Sequence, residues 1–330
     1  MKNILVTGGA GFIGSNFIHY MLEADKDVRI INIDKLTYAG DTANLMGLPG
    51  PERHVFRQKC IYENRKEIEI YLKHYYIDTI VHFAAETHVD NSIDSSEEFI
   101  KTNVLGTHNL LEAARRYWNE GENPIHFHHI STDEVYGTLG SYEDPWDESC
   151  PYKPSSPYSA SKASSDHLVR AYGHTYGLPY TITNCSNNYG ERQHPEKLIP
   201  KIITNAIKGK TIPIYGDGMQ RRDWLYVQDH CEAIKLVIEK GTVGETYNVG
   251  GSNNPANLSI ALEICGIVND MAGYNKSGEK LIKYVKDRPG HDRRYQVNTE
   301  KIESELGWMP AISLYYGLEK TVKWYLERSE

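Results

Sequence analysis

The chain has 330 residues, of which 40% are hydrophobic and 24% charged, and its formal net charge of −8 argues against nucleic acid as the main partner. Its five cysteines are widely spaced and lack a C-x-x-C pair, which argues against a disulfide framework or a zinc site and favours a cytoplasmic location. No segment reaches the roughly 20 apolar residues of a membrane span, and the first apolar run is too short for a signal peptide, so we expect no membrane partner.

The first half of the chain alternates short apolar runs with amphipathic helical patterns. The predicted strands are NILVT, VRIINID, TIVHFAA, IHFHHIST and PYTITNCSNNYG. The predicted helices are GFIGSNFIHYMLEA, a segment near residues 64–76, SSEEFIKTNVLGTHNLLEAARRYW with Ser95 or Ser96 as its N-cap, and SPYSASKASSDHLVRAYGHTYG. Apolar strands that alternate with helices indicate a Rossmann-type, doubly wound α/β fold with a parallel sheet covered on both faces.

After about residue 190 the pattern becomes less regular and richer in turns. We therefore predict a dinucleotide-binding Rossmann domain over residues 1–189, and we allow for later segments that return to it. Residues 190–330 are predicted to form a smaller, irregular α/β domain that binds the substrate and closes a ligand cleft.

A glycine-rich loop, TGGAGFIG, lies between the first predicted strand and the first predicted helix. Gly8, Gly11 and Gly14 let the backbone turn tightly and approach a pyrophosphate, whose charge a helix N-terminus favours. Asp34 ends the second strand, where a carboxylate can bind the ribose hydroxyls of adenosine. Its charge would repel a 2′-phosphate, so NAD is favoured over NADP. A strand-to-helix turn that binds no ligand is the alternative.

The segment YSASK places Tyr158 and Lys162 four residues apart, on one face of a helix. An ammonium near a phenol can lower its pKa, so that a tyrosinate acts as a base near neutral pH. Two other pairs share this spacing, Tyr62 with Lys66 and Tyr316 with Lys320. Only Tyr158 follows the strand that carries Ser131 and Thr132 at an interval that lets it reach the same cleft.

Two adjacent carboxylates, Asp133 and Glu134, directly follow the predicted strand IHFHHIST. Like charges repel each other and cost energy to bury, so the pair is either a solvated turn or a site of acid/base chemistry. The histidines of this strand could suggest a metal site. However, alternation along a strand sends His128 and His129 to opposite faces, so we predict no metal.

Four segments in this order, TGGAGFIG, HFAAETHVD, STDEVYG and YSASK, resemble the extended short-chain dehydrogenase/reductase superfamily. Within it, NIDKLTYAG, NCSNNYG, PEKLIP, RRDWLYVQDH and RPGHDRR resemble the dTDP-glucose 4,6-dehydratase family. The similar segments extend from residue 3 to about residue 295. The Thr-Asp-Glu run is the most specific of these signals, because related epimerases generally lack it.

The resemblance implies a hydro-lyase of deoxysugar biosynthesis, such as rhamnose biosynthesis, that recycles its NAD. It implies dehydration of dTDP-glucose to dTDP-4-keto-6-deoxy-glucose by C4 oxidation, elimination of water across C5 and C6, and hydride return to C6. Tyr158, assisted by Lys162, would take the O4 proton during oxidation at C4, and Thr132 would bind O4. Glu134 would remove the proton from C5, and Asp133 would protonate the hydroxyl that leaves C6. Alternatives that remain open are a 4,6-dehydratase or 4-epimerase for another nucleotide sugar and a non-catalytic NAD sensor.

The resemblance also implies ligand contacts and a homodimer that pairs the helices near residues 96–118 and 157–175. The implied cofactor contacts are Gly8, Gly11, Phe12, Ile13, Gly14, Asp34, Lys35, Leu36, Thr37, Cys60, Ile61, Ala84, Ala85, Thr102, Tyr158, Lys162 and Asn188. The implied nucleotide-sugar contacts are Thr87, Thr132, Asn187, Lys197, Leu198, Pro213, Tyr215, Arg222, Asn248, Asp287, Arg288 and His291. Cys60 and Asn91 depart from the residues usual in the family.

Overall fold

A parallel sheet forms the centre of the computed structural model, which describes residues 1–119, 124–140, 142–273, 278–287 and 291–328. The strands, in chain order, are β1 Asn3–Thr7, β2 Arg29–Asp34, β3 His54–Gln58, β4 Thr79–His82, β5 His126–Thr132, β6 Tyr180–Cys185, β7 Asn187–Tyr189, β8 Ile212–Tyr215, β9 Trp224–Tyr226, β10 Thr246–Val249 and β11 Ile282–Val285. Within the described chain the main sheet has seven strands in the order β10-β6-β5-β4-β1-β2-β3. The strand order reverses between β1 and β4, which is where doubly wound folds bind their ligands.

The helices cover both faces of this sheet and form a second layer beyond it. They are α1 Phe12–Ala24, α2 Arg65–His74, α3 Val89–Asp94, α4 Glu97–Phe99, α5 Thr107–Asn119, α6 Pro157–Tyr176, α7 Leu198–Lys208, α8 Val227–Lys240, α9 Asn257–Ala272, α10 Gly278–Leu281, α11 Glu300–Leu306 and α12 Leu314–Glu327. A π-helical segment, Ile100–Gly106, joins α4 to α5. No helix among the described residues has the length and apolar character needed to cross a membrane.

Strand β1 shows how the sheet divides the core. Leu5 packs on one face with α2, α5 and α6, whereas Ile4 and Val6 pack on the other face with α1 and α8. Successive side chains of a strand point to opposite faces of the sheet, which explains this alternation. Both faces are apolar because helices cover both faces of the sheet. The doubly wound α/β fold predicted from the sequence is confirmed.

A second apolar core lies in the C-terminal part of the chain. Helices α7, α9 and α12 supply most of it, with Ile203, Ile264 and Val322 fully buried. The short parallel pairs β8–β11 and β7–β9 lie beside these helices. Strand β10 nevertheless returns to the main sheet and pairs with β6, so the chain passes between the two layers. A boundary at residue 190 stays a prediction.

Three local predictions differ from the structure. Strand β3, HVFRQ, was not predicted, because its side chains are only half buried and its pattern is weakly apolar. The segment PYTITNCSNNYG forms two strands rather than one, since the chain leaves the main sheet after Cys185. Ser96 does precede α4, but its side chain makes no capping bond, and π-helical geometry interrupts the predicted long helix.

Candidate active site

A deep cleft opens at the carboxyl ends of the central strands, between the main sheet and the C-terminal layer. Its walls are the glycine loop after β1, the end of β2, the loop after β4, the end of β5 and the first turns of α6. The carboxyl ends of parallel strands meet at one edge of a sheet, so residues from distant segments face each other there.

The glycine loop is shaped so that larger residues do not fit. Gly8 has a φ of +74°, and a Cβ there would lie 2.6 Å from the backbone nitrogen of Ala84. A Cβ on Gly14 would lie 2.3 Å from the carbonyl oxygen of Gly8. No side chain caps the N-terminus of α1 at Gly11, and Gly11, Phe12 and Ile13 line the cleft. Such a terminus favours an anion.

Asp34 lies at the end of β2 and faces the same cleft. Its Oδ2 accepts a hydrogen bond of 2.9 Å from the Ala10 amide, and its Oδ1 accepts one of 2.8 Å from the Leu36 amide. Burial raises the pKa of Asp34, while these backbone donors lower it. Each oxygen keeps a second lone pair, so the carboxylate can accept further hydrogen bonds from a ligand.

Helix α6 presents Tyr158 and Lys162 to the cleft. A capping box between Ser156 and Ser159 stabilises the start of this helix and places Tyr158 in its first turn. The Lys162 ammonium donates a 2.7 Å hydrogen bond to the carbonyl oxygen of Ile130 on β5. Burial lowers the pKa of Lys162 to about 8. Helix α6 is thereby joined to the strand that carries the acid pair.

The pKa of Tyr158 lies well above its usual value, opposite to the direction expected from a neighbouring lysine. Burial is the main cause and the Glu134 charge adds to it, whereas a hydrogen bond with the Thr132 hydroxyl acts in the other direction. The phenol is therefore protonated in this state of the protein. Its ionisation depends on positive charge arriving in the cleft, because a buried anion is stabilised only by a partner.

The acid pair occupies the turn directly after β5. Asp133 is 1% exposed, and burial, then the charges of Glu134 and Asp223, raise its pKa well above the usual value. Its Oδ1 accepts a 3.3 Å hydrogen bond from the Thr132 hydroxyl. Within the described chain, its Oδ2 is buried without a hydrogen-bond partner. Asp133 is thus a buried acid with a raised pKa rather than part of a solvated turn.

A buried polar cluster centres on Asp166, one helical turn after Lys162 on α6. Asp166 Oδ1 lies 3.2 Å from His129 Nε2, while its Oδ2 accepts hydrogen bonds from Ser131 at 2.8 Å and from Tyr152 at 2.9 Å. Burial raises the pKa of Asp166, but His129 and Lys162 hold it below its usual value. Asp166 therefore supplies a negative charge that keeps Lys162 cationic in the interior.

The structure brings most of the predicted residues to this cleft. All five predicted catalytic residues line it, together with every predicted cofactor residue except Leu36, whose amide instead holds Asp34. Thr87, Asn187 and Lys197 line it too, and the Lys197 ammonium donates a 3.0 Å hydrogen bond to the Thr87 carbonyl. Thr102 and Asn187 each have a buried side-chain oxygen without a partner in the described chain.

Other predicted substrate residues form a second cluster around the chain segment after β11. His291 Nδ1 lies 2.6 Å from Asp287 Oδ1, and the rings of His291 and Tyr215 pack edge to face with centroids 6.2 Å apart. Arg222 lies over the ring of Tyr295 at 4.3 Å, and its charge acts on Asp133. Arg222 therefore connects this cluster to the acid pair.

Three predicted substrate residues are not part of either group. Asn248 is fully buried in β10, where its side chain accepts from the Tyr136 hydroxyl and donates to the Trp146 carbonyl. Pro213 pairs with Lys283 in the β8–β11 ladder, and Leu198 packs against the second core. Arg288 lies outside the described residues.

The sequence reasoning missed several residues of the cleft. They are Ile33, Ala39, Gly40, Lys59, Tyr62, Phe83, Glu86, Ile130, Ser131, Cys185, Ser186, Gln193 and His194. Those that follow a strand directly, such as Phe83 and Ser186, could have been found from the rule that carboxyl strand ends meet at one edge. Gly40, Lys59 and His194 come from loops, and no local pattern marks them. Among the described residues, no group of three or more potential ligands could hold a metal ion.

Comparison with known proteins bears directly on this site. The family model described as GDP-mannose 4,6 dehydratase matches residues 5–321. The chain is 52% identical to the dTDP-glucose 4,6-dehydratase of Neisseria meningitidis serogroup B, over 99% of this chain and 94% of that protein. The chain belongs to the dTDP-glucose 4,6-dehydratase family.

Solved structures of this family have the same fold. The enzyme of Bacillus anthracis, solved in complex with NAD, has a TM-score of 0.88 and 46% identity, with 100% of this chain and 98% of that chain covered. The enzyme of Streptomyces venezuelae, solved with NAD and the ligand TYD bound, has a TM-score of 0.90 and 45% identity, with 98% and 97% covered. The predicted family is therefore confirmed.

We expect Asp223→Asn to flatten the pH dependence of stability. Burial raises the pKa of Asp223 from 3.8 to about 7, so the folded protein holds a proton that the unfolded chain releases. The contribution of Asp223 to stability is thus greatest below pH 3.8 and falls as the pH rises toward 7. Removing this group should reduce the slope of the free energy of unfolding by up to about 1.4 kcal/mol per pH unit. Urea unfolding at a series of pH values measures the slope.

The matched control is Asp217→Asn. Asp217 is exposed, and its pKa is lowered to about 2 by Arg293, so its contribution changes below the tested range. It should leave the slope between pH 5 and 7 unchanged. Equal slopes in wild type and Asp223→Asn would contradict the prediction.

Proposed function

We propose that this protein catalyses the NAD-dependent dehydration of dTDP-glucose to dTDP-4-keto-6-deoxy-glucose. One observation carries the proposal: the buried Asp133, whose pKa is raised, and its neighbour Glu134 lie in one cleft with Tyr158 and Lys162. A dehydrogenase or an epimerase needs the tyrosine and the lysine but has no use for an added acid and base. The names of the relatives support the same reaction.

The residues of the cleft fit NAD. The glycine loop leaves room that a Cβ would fill and presents the N-terminus of α1 to a pyrophosphate. Asp34 offers oxygen lone pairs to ribose hydroxyls, and its negative charge disfavours a 2′-phosphate. The buried oxygens of Thr102 and Asn187 can accept further hydrogen bonds. When bound, NAD supplies the hydride acceptor for C4 and the hydride donor for C6.

The first half of the reaction is oxidation at C4. Tyr158 takes the O4 proton as a general base, while Thr132 orients the same hydroxyl group. Lys162 provides the positive charge that a buried tyrosinate requires, and Asp166 keeps that lysine cationic. The ketone formed at C4 acidifies the proton on C5, which prepares the elimination.

The second half is loss of water from C5 and C6. Glu134 removes the C5 proton, and Asp133 protonates the C6 hydroxyl as it leaves. The elevated pKa of Asp133 suits a group that must hold a proton at neutral pH while its neighbour is ionised. Glu134 then returns its proton to C5 as C6 accepts the hydride.

The substrate diphosphate is assigned to the side of the cleft around Arg222. This guanidinium lies close to Asp133, so a nucleotide bound there would leave its sugar at the acid pair. His291 and Tyr215 lie in the adjacent cluster and are proposed to contact the nucleotide.

The proposal includes a homodimer. Three apolar side chains in or beside the predicted dimer helices are exposed: Ile93 at 45%, Ile100 at 45% and Leu105 at 50%. They support a homodimer that pairs α5 and α6 across a two-fold axis.

Five free cysteines support action in the cytoplasm, on the route to a deoxysugar such as rhamnose.

The deciding experiment incubates the NAD-loaded protein separately with the glucose or mannose esters of dTDP, UDP, GDP and CDP. Mass spectrometry should show loss of one water from dTDP-glucose without net consumption of NAD. Preferred turnover of GDP-mannose, the substrate that the family model names, would change the nucleotide assignment. A product of unchanged mass would indicate an epimerase, and no turnover of any sugar would refute an enzyme of this class.

Glu134→Gln should separate the two halves of the reaction. Without the C5 base, the variant should still transfer hydride from C4 and accumulate reduced cofactor. Loss of water should fall by about 10²-fold or more, the range of a lost general base. Absorbance of the reduced cofactor and product mass are followed together. The matched control is Glu143→Gln at an exposed glutamate, which should behave like wild type. Equal loss of both steps would argue against the assigned role.

Leu105→Glu should weaken the proposed dimer, because it places a charge in an apolar interface. Sedimentation velocity should show a dimer for the wild-type protein and a shift toward monomer for the variant. Leu262→Glu, at a 38% exposed position on α9 away from these helices, is the control and should remain dimeric. A wild-type monomer would refute the dimer without affecting the reaction.

A further inference from the structure

The proposed reaction leaves two groups in the wrong protonation state after each turnover. Tyr158 gains the O4 proton, which the ketone product no longer needs. Asp133 loses its proton to the water that departs from C6, whereas Glu134 takes a proton from C5 and returns it. The enzyme therefore ends with Tyr158 protonated and Asp133 ionised, and the next turnover needs the reverse.

The Thr132 hydroxyl lies between these two groups. It donates a 3.3 Å hydrogen bond to Asp133 Oδ1, and its interaction with the Tyr158 phenol lowers the pKa of that phenol. The Glu134 amide donates a 3.3 Å hydrogen bond to the same hydroxyl oxygen, which holds it in place. A hydroxyl can accept one proton while it donates another, so it can pass a proton along without becoming charged overall.

All three groups are shielded from solvent. Thr132 and Tyr158 are each 8% exposed and Asp133 is 1% exposed, and a bound substrate covers them further. The Lys162 ammonium donates to the Ile130 carbonyl and lies beside His129. Among the described residues, Thr132 interacts with both Tyr158 and Asp133 and so links the two groups.

We propose that Thr132 relays a proton from Tyr158 to Asp133 in every turnover and so resets the enzyme. The Tyr158 O–H bond breaks as its proton passes to Thr132 Oγ1, and the original Thr132 proton passes to Asp133 Oδ1. No atom is oxidised or reduced, and one negative charge moves from Asp133 to Tyr158. The relay rests on the proposed function and adds to Thr132 a role beyond orientation of O4.

The electrostatics of the site act on both ends of this path. Burial and the Glu134 charge raise the pKa of Asp133, which favours the protonated carboxyl. The same two effects raise the pKa of Tyr158, so its proton leaves only when positive charge from Lys162 and a bound cofactor offsets them.

Rapid-quench kinetics with the NAD-loaded protein and excess dTDP-glucose test the relay. In Thr132→Val, one product per active site should form in a burst, followed by a steady-state rate that is slower by about 10²-fold, the range of a lost proton transfer. Thr132→Ser keeps the hydroxyl and should restore a steady state close to the burst rate. The control, Thr211→Val at an exposed threonine, should match wild type.

The possible outcomes separate the relay from the reaction itself. A Thr132→Val variant that slows the first and later turnovers equally, without a burst, would show that Thr132 only orients O4 and would overturn the relay. Absence of dehydration by the wild-type protein would instead refute the proposed function. If Thr132→Val does not fold, as judged by circular dichroism, Thr132→Ala takes its place with the same expected burst.

Discussion

The hydrogen bond from the Lys162 ammonium to the Ile130 carbonyl joins the two elements that make the site. It attaches α6, which carries Tyr158, to β5, which ends at the acid pair, with a donor-acceptor distance of 2.7 Å. A buried ammonium needs a counter-charge, and Asp166 provides it from the same helix. Removing one partner of such a buried pair typically costs about 3–5 kcal/mol. Stability and the placement of the catalytic groups therefore depend on the same contacts.

Burial decides the protonation states in the cleft. It raises the pKa values of Asp133 and Tyr158 and lowers that of Lys162, so the interior favours the neutral form of each group. The chemistry needs Asp133 neutral but Tyr158 ionised for part of the cycle. Burial and the charges of Glu134 and Asp223 keep Asp133 neutral. Ionisation of Tyr158 needs the positive charge that Lys162 and a bound cofactor bring. Asp133 can therefore act as an acid in the empty cleft, whereas Tyr158 can act as a base only when the cofactor is bound.

The second layer of the protein completes the cleft rather than forming an independent unit. Strand β10 pairs with β6 in the main sheet, and the charge of Arg222 acts on Asp133. In the proposed reaction the Thr132 hydroxyl connects the acid pair to Tyr158. The catalytic residues thus lie in the main layer, while His194 and Lys197 line the cleft from the C-terminal part of the chain.

Local periodicity and short-range spacing encode the sheet, the glycine loop, Asp34, the Tyr158–Lys162 pair and the acid pair, so these features are readable in the sequence. The surroundings of these residues depend on how distant segments pack together. Asn248, predicted as a ligand contact, is fully buried in a strand, and the pKa of Tyr158 moves opposite to the direction that its lysine neighbour suggested. Asp166, one helical turn after Lys162, and Asp223 beside Asp133 were not foreseen. Burial and long-range charge act between segments distant in sequence, and no local pattern records them.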